Sequence, residues 1–342
     1  MTRILITGSR GVIGTYLTRI LAEKGHETFG VDIYHGLGEV GWEQQMSKTA
    51  ASYARCDVAD FRQLERVFDT FGPFAFVYHA AAEFGRWNGE DYYEQLWRTN
   101  AIGTKNVIRL QERLGFKLVH FSTSEVYGDY AGVMKEEVME LVEIKQLNDY
   151  AMSKWVNEMQ VRNSRIINGT DTVIVRLFNT YGPGEWYHPY RSVNAKFCFS
   201  ALSGLPVTVY KGHSRTSTYL QDTCEALANI PENFKSGEVY NIDGLLQHSI
   251  EELAEIVWRQ AKADPGLITY RPAEVLTTRN KKADCSKAVR DLGFRVTVTL
   301  EEGVTRTLEW MKSCYFNGNH HSSEFSANLG IGQPLGDVKT RA

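Results

Sequence analysis

Apolar and polar positions along the first half of the chain switch repeatedly between two periods. Residues 3–7 form a short continuous apolar run, glycines follow, and Ile13, Leu17, Ile20 and Leu21 then recur at helical spacing until Gly25 interrupts them. Strand-like runs return at 28–32, 53–56, 74–79, 117–122 and 172–177. Between them, helical patterns occupy 61–71 (Leu64, Val67, Phe68, Phe71), 90–114 and 150–167. Strands alternating with helices predict an α/β fold: a doubly wound parallel sheet covered by helices on both faces.

Near residue 180 the rhythm changes. Gly182-Pro183-Gly184 reads as a turn, residues 186–191 are aromatic-rich and irregular, and a helix is expected at 193–202. A strand at 207–210, a helix from about 221, a strand at 238–242 and helices at 250–263 and 300–312 follow. This order predicts a dinucleotide-binding unit over 1–180, its sheet completed by about 220–243. A smaller, interleaved substrate-binding lobe is expected from 181–219 and 244–315. Residues 316–342, with His320-His321 and repeated glycine, follow neither period and are expected to form a partly ordered tail.

Composition narrows the function. Thirty-eight basic against 41 acidic side chains leave a net charge of −3, which excludes the basic footprint of a nucleic-acid binder and gives no electrostatic case for a membrane surface. The five cysteines (Cys56, Cys198, Cys224, Cys285, Cys314) are scattered, with no C-x-x-C pair and no Cys/His cluster at zinc spacing. A disulfide scaffold and a structural metal are not expected, and reduced thiols point to the cytoplasm.

Chemistry enters with Thr7-Gly8-Ser9-Arg10-Gly11-Val12-Ile13-Gly14, between the first strand and the first helix. Glycines at this spacing let the backbone turn tightly and approach a pyrophosphate at a helix N-terminus, with Val12 and Ile13 opening the helix. Asp32 ends the second strand 18 residues past Gly14, where a carboxylate can accept from both ribose hydroxyls of an adenosine. It would repel a 2′-phosphate, so NAD is favoured over NADP. Arg10 is a mild counter-signal. Asp57-Val58, after the third strand, suits an adenine amino group or, equally, a helix N-cap for Asp57.

Tyr150-Ala-Met-Ser-Lys154 places a phenol and an ammonium one helical turn apart on one face. A tyrosine must fall roughly three pKa units from about 10 to act as a base near neutrality, about 4 kcal/mol of differential stabilisation. A nearby ammonium and a cationic nicotinamide ring are sources of that shift. Upstream, a strand runs into Ser122-Thr123-Ser124-Glu125-Val126-Tyr127-Gly128. Downstream, another ends in Arg176-Leu177-Phe178-Asn179-Thr180-Tyr181-Gly182-Pro183.

Together with His79-Ala80-Ala81-Ala82, these motifs stand in an order that resembles the extended short-chain dehydrogenase/reductase family, in its nucleotide-sugar branch. The resemblance spans about residues 1–315. It implies a Rossmann NAD-binding domain, a nucleotide-sugar substrate and a homodimer formed by the helices at 90–114 and 150–167. Tyr150 would be the catalytic base, Lys154 the ribose ligand that lowers its pKa, and Thr123 the partner of sugar O4. Ala80, Ala81, Asn100 and Ser122 would complete the cofactor pocket. Asn179, Arg191 and Arg215 would hold the substrate, Arg215 at its diphosphate, while Val209 would run beside the base. Glu83 and Arg86 would line the sugar pocket.

The family opens by oxidising sugar C4, after which three outcomes diverge: loss of water from C6, loss of carbon dioxide from a hexuronate, or return of hydride to the other face. Glu125 favours the eliminations, because the family's 4-epimerases usually carry no acid there. Ser124 stands where dTDP-glucose dehydratases carry an aspartate, so Thr-Ser-Glu resembles UDP-glucuronate decarboxylases and GDP-mannose 4,6-dehydratases. Lys281-Lys282-Ala283-Asp284 replaces the decarboxylases' Arg-Lys-Pro-Asp, whose arginine can hold the substrate carboxylate, so Lys281 would supply charge there without a bidentate fork, with Arg279 close by. The expected function is therefore a nucleotide-sugar decarboxylase or 4,6-dehydratase. The alternative is a 4-epimerase; a simple dehydrogenase or reductase and a non-catalytic NAD-binding sensor are weaker readings.

Overall fold

In the computed structural model, residues 1–33, 52–274 and 277–316 are described. Seven strands form one sheet: β1 (Arg3–Thr7), β2 (Glu27–Asp32), β3 (Ser52–Arg55), β4 (Phe76–His79), β5 (Lys117–Thr123), β6 (Thr172–Leu177) and, much later in the chain, β10 (Val239–Ile242). Their spatial order is β3-β2-β1-β4-β5-β6-β10, and every pair is parallel. Such strands are covered on both faces, which is why β1 reads as an unbroken apolar run. Ile4 and Ile6 pack with Leu17 and Leu21 of the helix Val12–Glu23, whereas Leu5 points the other way, to Leu64, Phe68, Val107 and Leu110. The strand order reverses between β1 and β4, which opens the crevice at the C-terminal sheet edge where ligands bind in such folds.

After β6 the chain leaves the sheet. It contributes β7 (Asn179–Tyr181), β8 (Val207–Tyr210) and β9 (Ser214–Tyr219) to a second layer, then returns through the helix Leu220–Leu227 to β10. It leaves again with β11 (Gln247–Ser249) and β12 (Ile268–Arg271). β9 pairs parallel with β7 and antiparallel with β11; β8 pairs parallel with β12. The helices Val193–Ser203, Ile250–Ala261 and Leu300–Met311 close a core of Phe197, Leu253, Val257, Val304 and Leu308 over them. The short strands β7, β9, β11 and β12 are absent from the sequence reading; three to six polar-rich residues carry too little periodicity to register.

The expected continuous helix at 90–114 is broken. It comprises Arg86–Asp91, Tyr93–Trp97, a π turn at Arg98–Ile102 and the helix Gly103–Leu114. The widened turn carries the Asn100 side chain inward, where it accepts from Glu83 N at 2.9 Å and donates to Ser153 Oγ at 3.0 Å. Gly103 follows because a Cβ there would meet Val58 Cγ2 at 2.8 Å. The expected tail lies outside the described residues beyond Phe316.

A buried polar key joins the sheet to the helix Asp149–Asn168. Arg176 on β6 and Glu158 on the helix Asp149–Asn168 are both sealed from solvent and pair through two hydrogen bonds of 3.0 and 2.8 Å. Ser122 Oγ donates to Glu158 at 2.5 Å, Arg176 donates to the Tyr127 oxygen at 2.8 Å, and Tyr127 donates to Asn241 on β10 at 2.8 Å. Three strands and one helix are thereby held in register.

Candidate active site

A cavity of about 1700 Å³ runs along the C-terminal edge of the sheet and under the second layer. That exceeds the ~300–1,000 Å³ of a single small-ligand pocket. At one end lies the glycine loop. A Cβ on Gly8 would sit 2.7 Å from Ala81 N, and one on Gly14 would sit 2.2 Å from Gly8 O, so the turn closes only with glycines. Gly11 caps the helix Val12–Glu23 without any side-chain hydrogen bond, leaving its first N–H groups bare toward the cavity. Those groups fit a pyrophosphate. Asp32 accepts from Arg10 N at 3.0 Å and Ile33 N at 2.8 Å, fixing its carboxylate on the cavity wall. The Arg10 guanidinium lies 4.0 Å from the Tyr53 ring. Asp57 also lines the cavity and pairs with Arg98 at 2.8 Å; the cap of the helix Phe61–Phe71 is Asp60 instead. Ala80 and Ala81 complete this wall, and Asn100 stands behind it.

The centre of the cavity holds the end of β5 and the start of the helix Asp149–Asn168. Asn148 caps that helix through Ala151 N at 2.8 Å, so Tyr150 and Lys154 face the strand end together. Lys154 is 3% exposed and donates to Phe121 O at 2.9 Å. Burial pulls its pKa down to about 8, against a smaller opposing pull from Glu158. The Tyr150 phenol moves the other way. Burial pushes it up to about 12, a hydrogen bond with Thr123 draws it partly back, and Glu125 adds to the rise. The Lys154 ammonium is directed to the Phe121 carbonyl.

Beside Thr123 and Tyr150, Ser124 and Glu125 line the same wall. Glu125 is ion-paired with Lys281, whose Nζ also donates to Ser124 Oγ at 3.3 Å. Burial opposes the Glu125 charge, but Lys281, with Arg215 and Arg86 behind it, outweighs burial and holds the carboxyl below its ordinary range. Lys281 is 2% exposed and is itself pulled down by burial.

The family model described as NAD dependent epimerase/dehydratase matches residues 4–243. The chain belongs to that family. Its members are enzymes and use NAD, for which the bare helix terminus and Asp32 are the fitting residues. UDP-N-acetyl-alpha-D-glucosaminuronate decarboxylase of Bacillus cytotoxicus is 29% identical over 321 residues, covering 91% of this chain and 98% of the relative. dTDP-glucose 4,6-dehydratase of Salmonella typhimurium is 28% identical over 338 residues, covering 90% and 92%. Among solved structures, UDP-glucose 4-epimerase of Thermus thermophilus in complex with NAD superposes with a TM-score of 0.80 at 26% identity, over 91% of this chain and 99% of that one. Among the described residues, no helix is long and apolar enough to cross a membrane and no group of side chains is arranged to hold a metal.

The residues that the sequence resemblance assigns to the substrate divide between those that line the cavity and those that do not. Glu83, Arg86, Asn179 and Arg191 line the cavity. Val209 is fully buried in the core of the second layer, because its strand turns that residue toward Val257 and away from the crevice. Arg215 lies behind the wall, donating to the carbonyls of Ser214 and Arg279 at 2.8 and 2.7 Å. Arg279 is exposed and Lys281 is sealed beneath Glu125. Glu185, Lys196, Glu274 and Tyr315 also line the cavity and escaped the sequence reading. Glu274 pairs with Arg86 and accepts from Trp87 Nε1 at 3.0 Å. The run Arg191-Ser192-Val193-Asn194-Ala195-Lys196 was a signal for Lys196, since a lone lysine near the start of an otherwise apolar helix faces something polar.

Proposed function

We propose that the protein binds a nucleotide-linked hexuronate with NAD in this cavity, oxidises C4, releases carbon dioxide and reduces the product. The observation that carries the reading is Glu125, an ionised carboxylate already neutralised by buried Lys281, with the Ser124 hydroxyl alongside. After C4 oxidation, dehydration needs a base for the C5 proton and an acid for the leaving hydroxyl. A carboxylate held below its ordinary range is a weak base, and serine is a poor acid.

Decarboxylation needs no base at C5, and its one acid step protonates an enolate carbon, which is basic enough to take a proton from a hydroxyl. Tyr150, bonded to Thr123, takes the O4 proton as C4 becomes a ketone. The C5–C6 bond then breaks, its electron pair enters the ketone as an enolate, and carbon dioxide leaves. Ser124 gives its proton to C5 and recovers one from Lys281, an ammonium that burial has made more acidic. Tyr150 returns its proton to O4 at the end. When bound, NAD supplies the hydride acceptor and returns the hydride, so the cycle has no net redox change.

4,6-Dehydration is the second reading, favoured by Glu125 standing ionised beside Thr123, within the group that meets the sugar. Mass spectrometry of products from UDP-, dTDP-, GDP- and CDP-sugars, including UDP-glucuronate, separates them. Loss of carbon dioxide is expected. Loss of water would replace decarboxylation with dehydration, and unchanged mass with inverted C4 would make the protein a 4-epimerase.

Exposed Met152, Met159, Ile166 and Ile167 on the helix Asp149–Asn168, with exposed Tyr93 and Ile102 on the segments packed against it, support a homodimer through these helices. Sedimentation at micromolar concentration tests it. Four buried, unpaired cysteines fit a reducing cytoplasmic setting.

A further inference from the structure

The cations around the sugar end of the cavity divide into those already engaged and those that are not. Arg86 is taken by Glu274, Arg215 by two carbonyls, and Lys281 by Glu125. Arg191 lies with its guanidinium 4.5 Å from the Phe84 ring, and its buried Nε has no hydrogen-bond partner among the described residues. Lys196, in the first turn of the helix Val193–Ser203, lines the same wall. Its ammonium makes no hydrogen bond or ion pair among the described residues. The carboxylates acting on Lys196 are Glu274 and Glu185. The first is held by Arg86 and Trp87, and the second accepts from Ser192 N at 3.0 Å and Ser192 Oγ at 2.8 Å.

A desolvated ammonium without a partner is costly unless another group answers it. Burial, with Arg86 adding to it, lowers the Lys196 pKa against the opposing pull of Glu274 and Glu185. Arg191 and Lys196 line a wall whose carboxylates Glu83, Glu185 and Glu274 already accept hydrogen bonds or ion pairs from other groups, so an anion is the group that would answer them.

We propose that Lys196, with Arg191 beside it, forms an oxyanion subsite that receives a negatively charged group of the nucleotide-sugar substrate. The inference rests on the nucleotide-sugar reading above. Two groups share this chemistry, the C6 carboxylate of a hexuronate and the diphosphate. Holding the carboxylate is the role that sequence resemblance assigns to residue 281. Lys281 is shut away from the cavity, whereas Lys196 lines it, and the other lining ammonium, Lys154, is engaged by the Phe121 carbonyl.

Calorimetric titration of the NAD-loaded protein with UDP, UDP-glucose and UDP-glucuronate tests the subsite, with Tyr150→Phe in every sample so that no ligand turns over. Lys196→Met should weaken UDP-glucuronate by about 10- to 100-fold, as for a hydrogen bond to a charged group, and leave UDP and UDP-glucose unchanged. An equal loss for all three ligands would assign the same ammonium to the diphosphate. Lys196→Arg, which keeps the charge, should bind within a few-fold of the parent. Unchanged affinities in Lys196→Met, or equal losses in Lys196→Met and Lys196→Arg, would overturn the proposal. Product analysis is independent of this result: a wild type that releases water would refute decarboxylation while leaving Lys196 on the diphosphate.

Discussion

Lys154 should destabilise the protein that it makes active. Its ammonium is 3% exposed, and its pKa falls from 10.5 to about 8 on folding, chiefly through burial. At ~1.4 kcal/mol per unit, that shift corresponds to ~3 kcal/mol of folding free energy lost while the group is charged. Replacing it by methionine removes the charge but leaves Phe121 O without its 2.9 Å donor, a loss of about 1–2 kcal/mol. Lys154→Met, freed of nucleotide, should therefore be more stable than wild type by ~1–2 kcal/mol at pH 7, and inactive.

The pH dependence is the sharper signature. The folded pKa lies below the unfolded one, so the unfolded state binds more protons between them, and wild-type stability rises as pH climbs from about 8 toward 10.5. Methionine does not titrate, so the variant lacks that rise and its advantage shrinks across this window. Urea denaturation of both proteins at half-unit steps from pH 7 to 9.5 measures the difference. Parallel curves, or a variant several kcal/mol weaker at pH 7, would refute the reasoning.

Three further outcomes follow from the geometry. Gly14→Ala drives a Cβ to 2.2 Å from Gly8 O, so NAD binding should be lost along with about 1–3 kcal/mol of stability, read by NAD titration and thermal melting. Arg176→Met removes the bidentate partner of buried Glu158, leaving only Arg162 at 3.8 Å, and should cost about 3–5 kcal/mol in urea denaturation; pairing it with Glu158→Leu should recover part of that loss, and a double variant no better than the single one would contradict a charge-based account. Ser124→Ala removes the proposed proton relay and should cut kcat by about 10²–10⁴ with little change in KM. A kcat within a few-fold of wild type would remove Ser124 from the mechanism.

Much of the site was legible because its chemistry is local. The glycine loop with Asp32, and Tyr150 with Lys154, are each set by one strand end or one helix face, and spacing along the chain is then spacing in space. The failures share a cause. Lys281 and Arg215 carry the right charge, but whether a long cation reaches a cavity depends on which neighbour captures it first, here Glu125 and the carbonyls of Ser214 and Arg279. Val209 failed through strand facing, which a four-residue strand with apolar residues on both sides does not announce. The π turn at Arg98–Ile102 was hidden because the apolar pattern of that helix continues through it. The rise at Tyr150 comes chiefly from burial, and Lys154 pairs with a carbonyl 33 residues back in the chain; spacing along the chain announces neither.

The return of the chain to β10 has a consequence for how this protein can change. β10 bonds only to β6 in the main sheet, and the segments on either side of it build the second layer. The chain therefore passes between the layers five times: out after β6, back into β10, out into β11, back with the helix Ser286–Leu292 that packs on the main core, and out again with the helix Leu300–Met311. The second layer is in this sense stitched to its host, not appended to it. Grafting it whole onto another dinucleotide-binding protein would carry away the outermost strand of the sheet. New substrate preferences are therefore accessible through individual wall residues such as Glu185, Arg191 and Lys196, and not through exchange of the layer as a cassette.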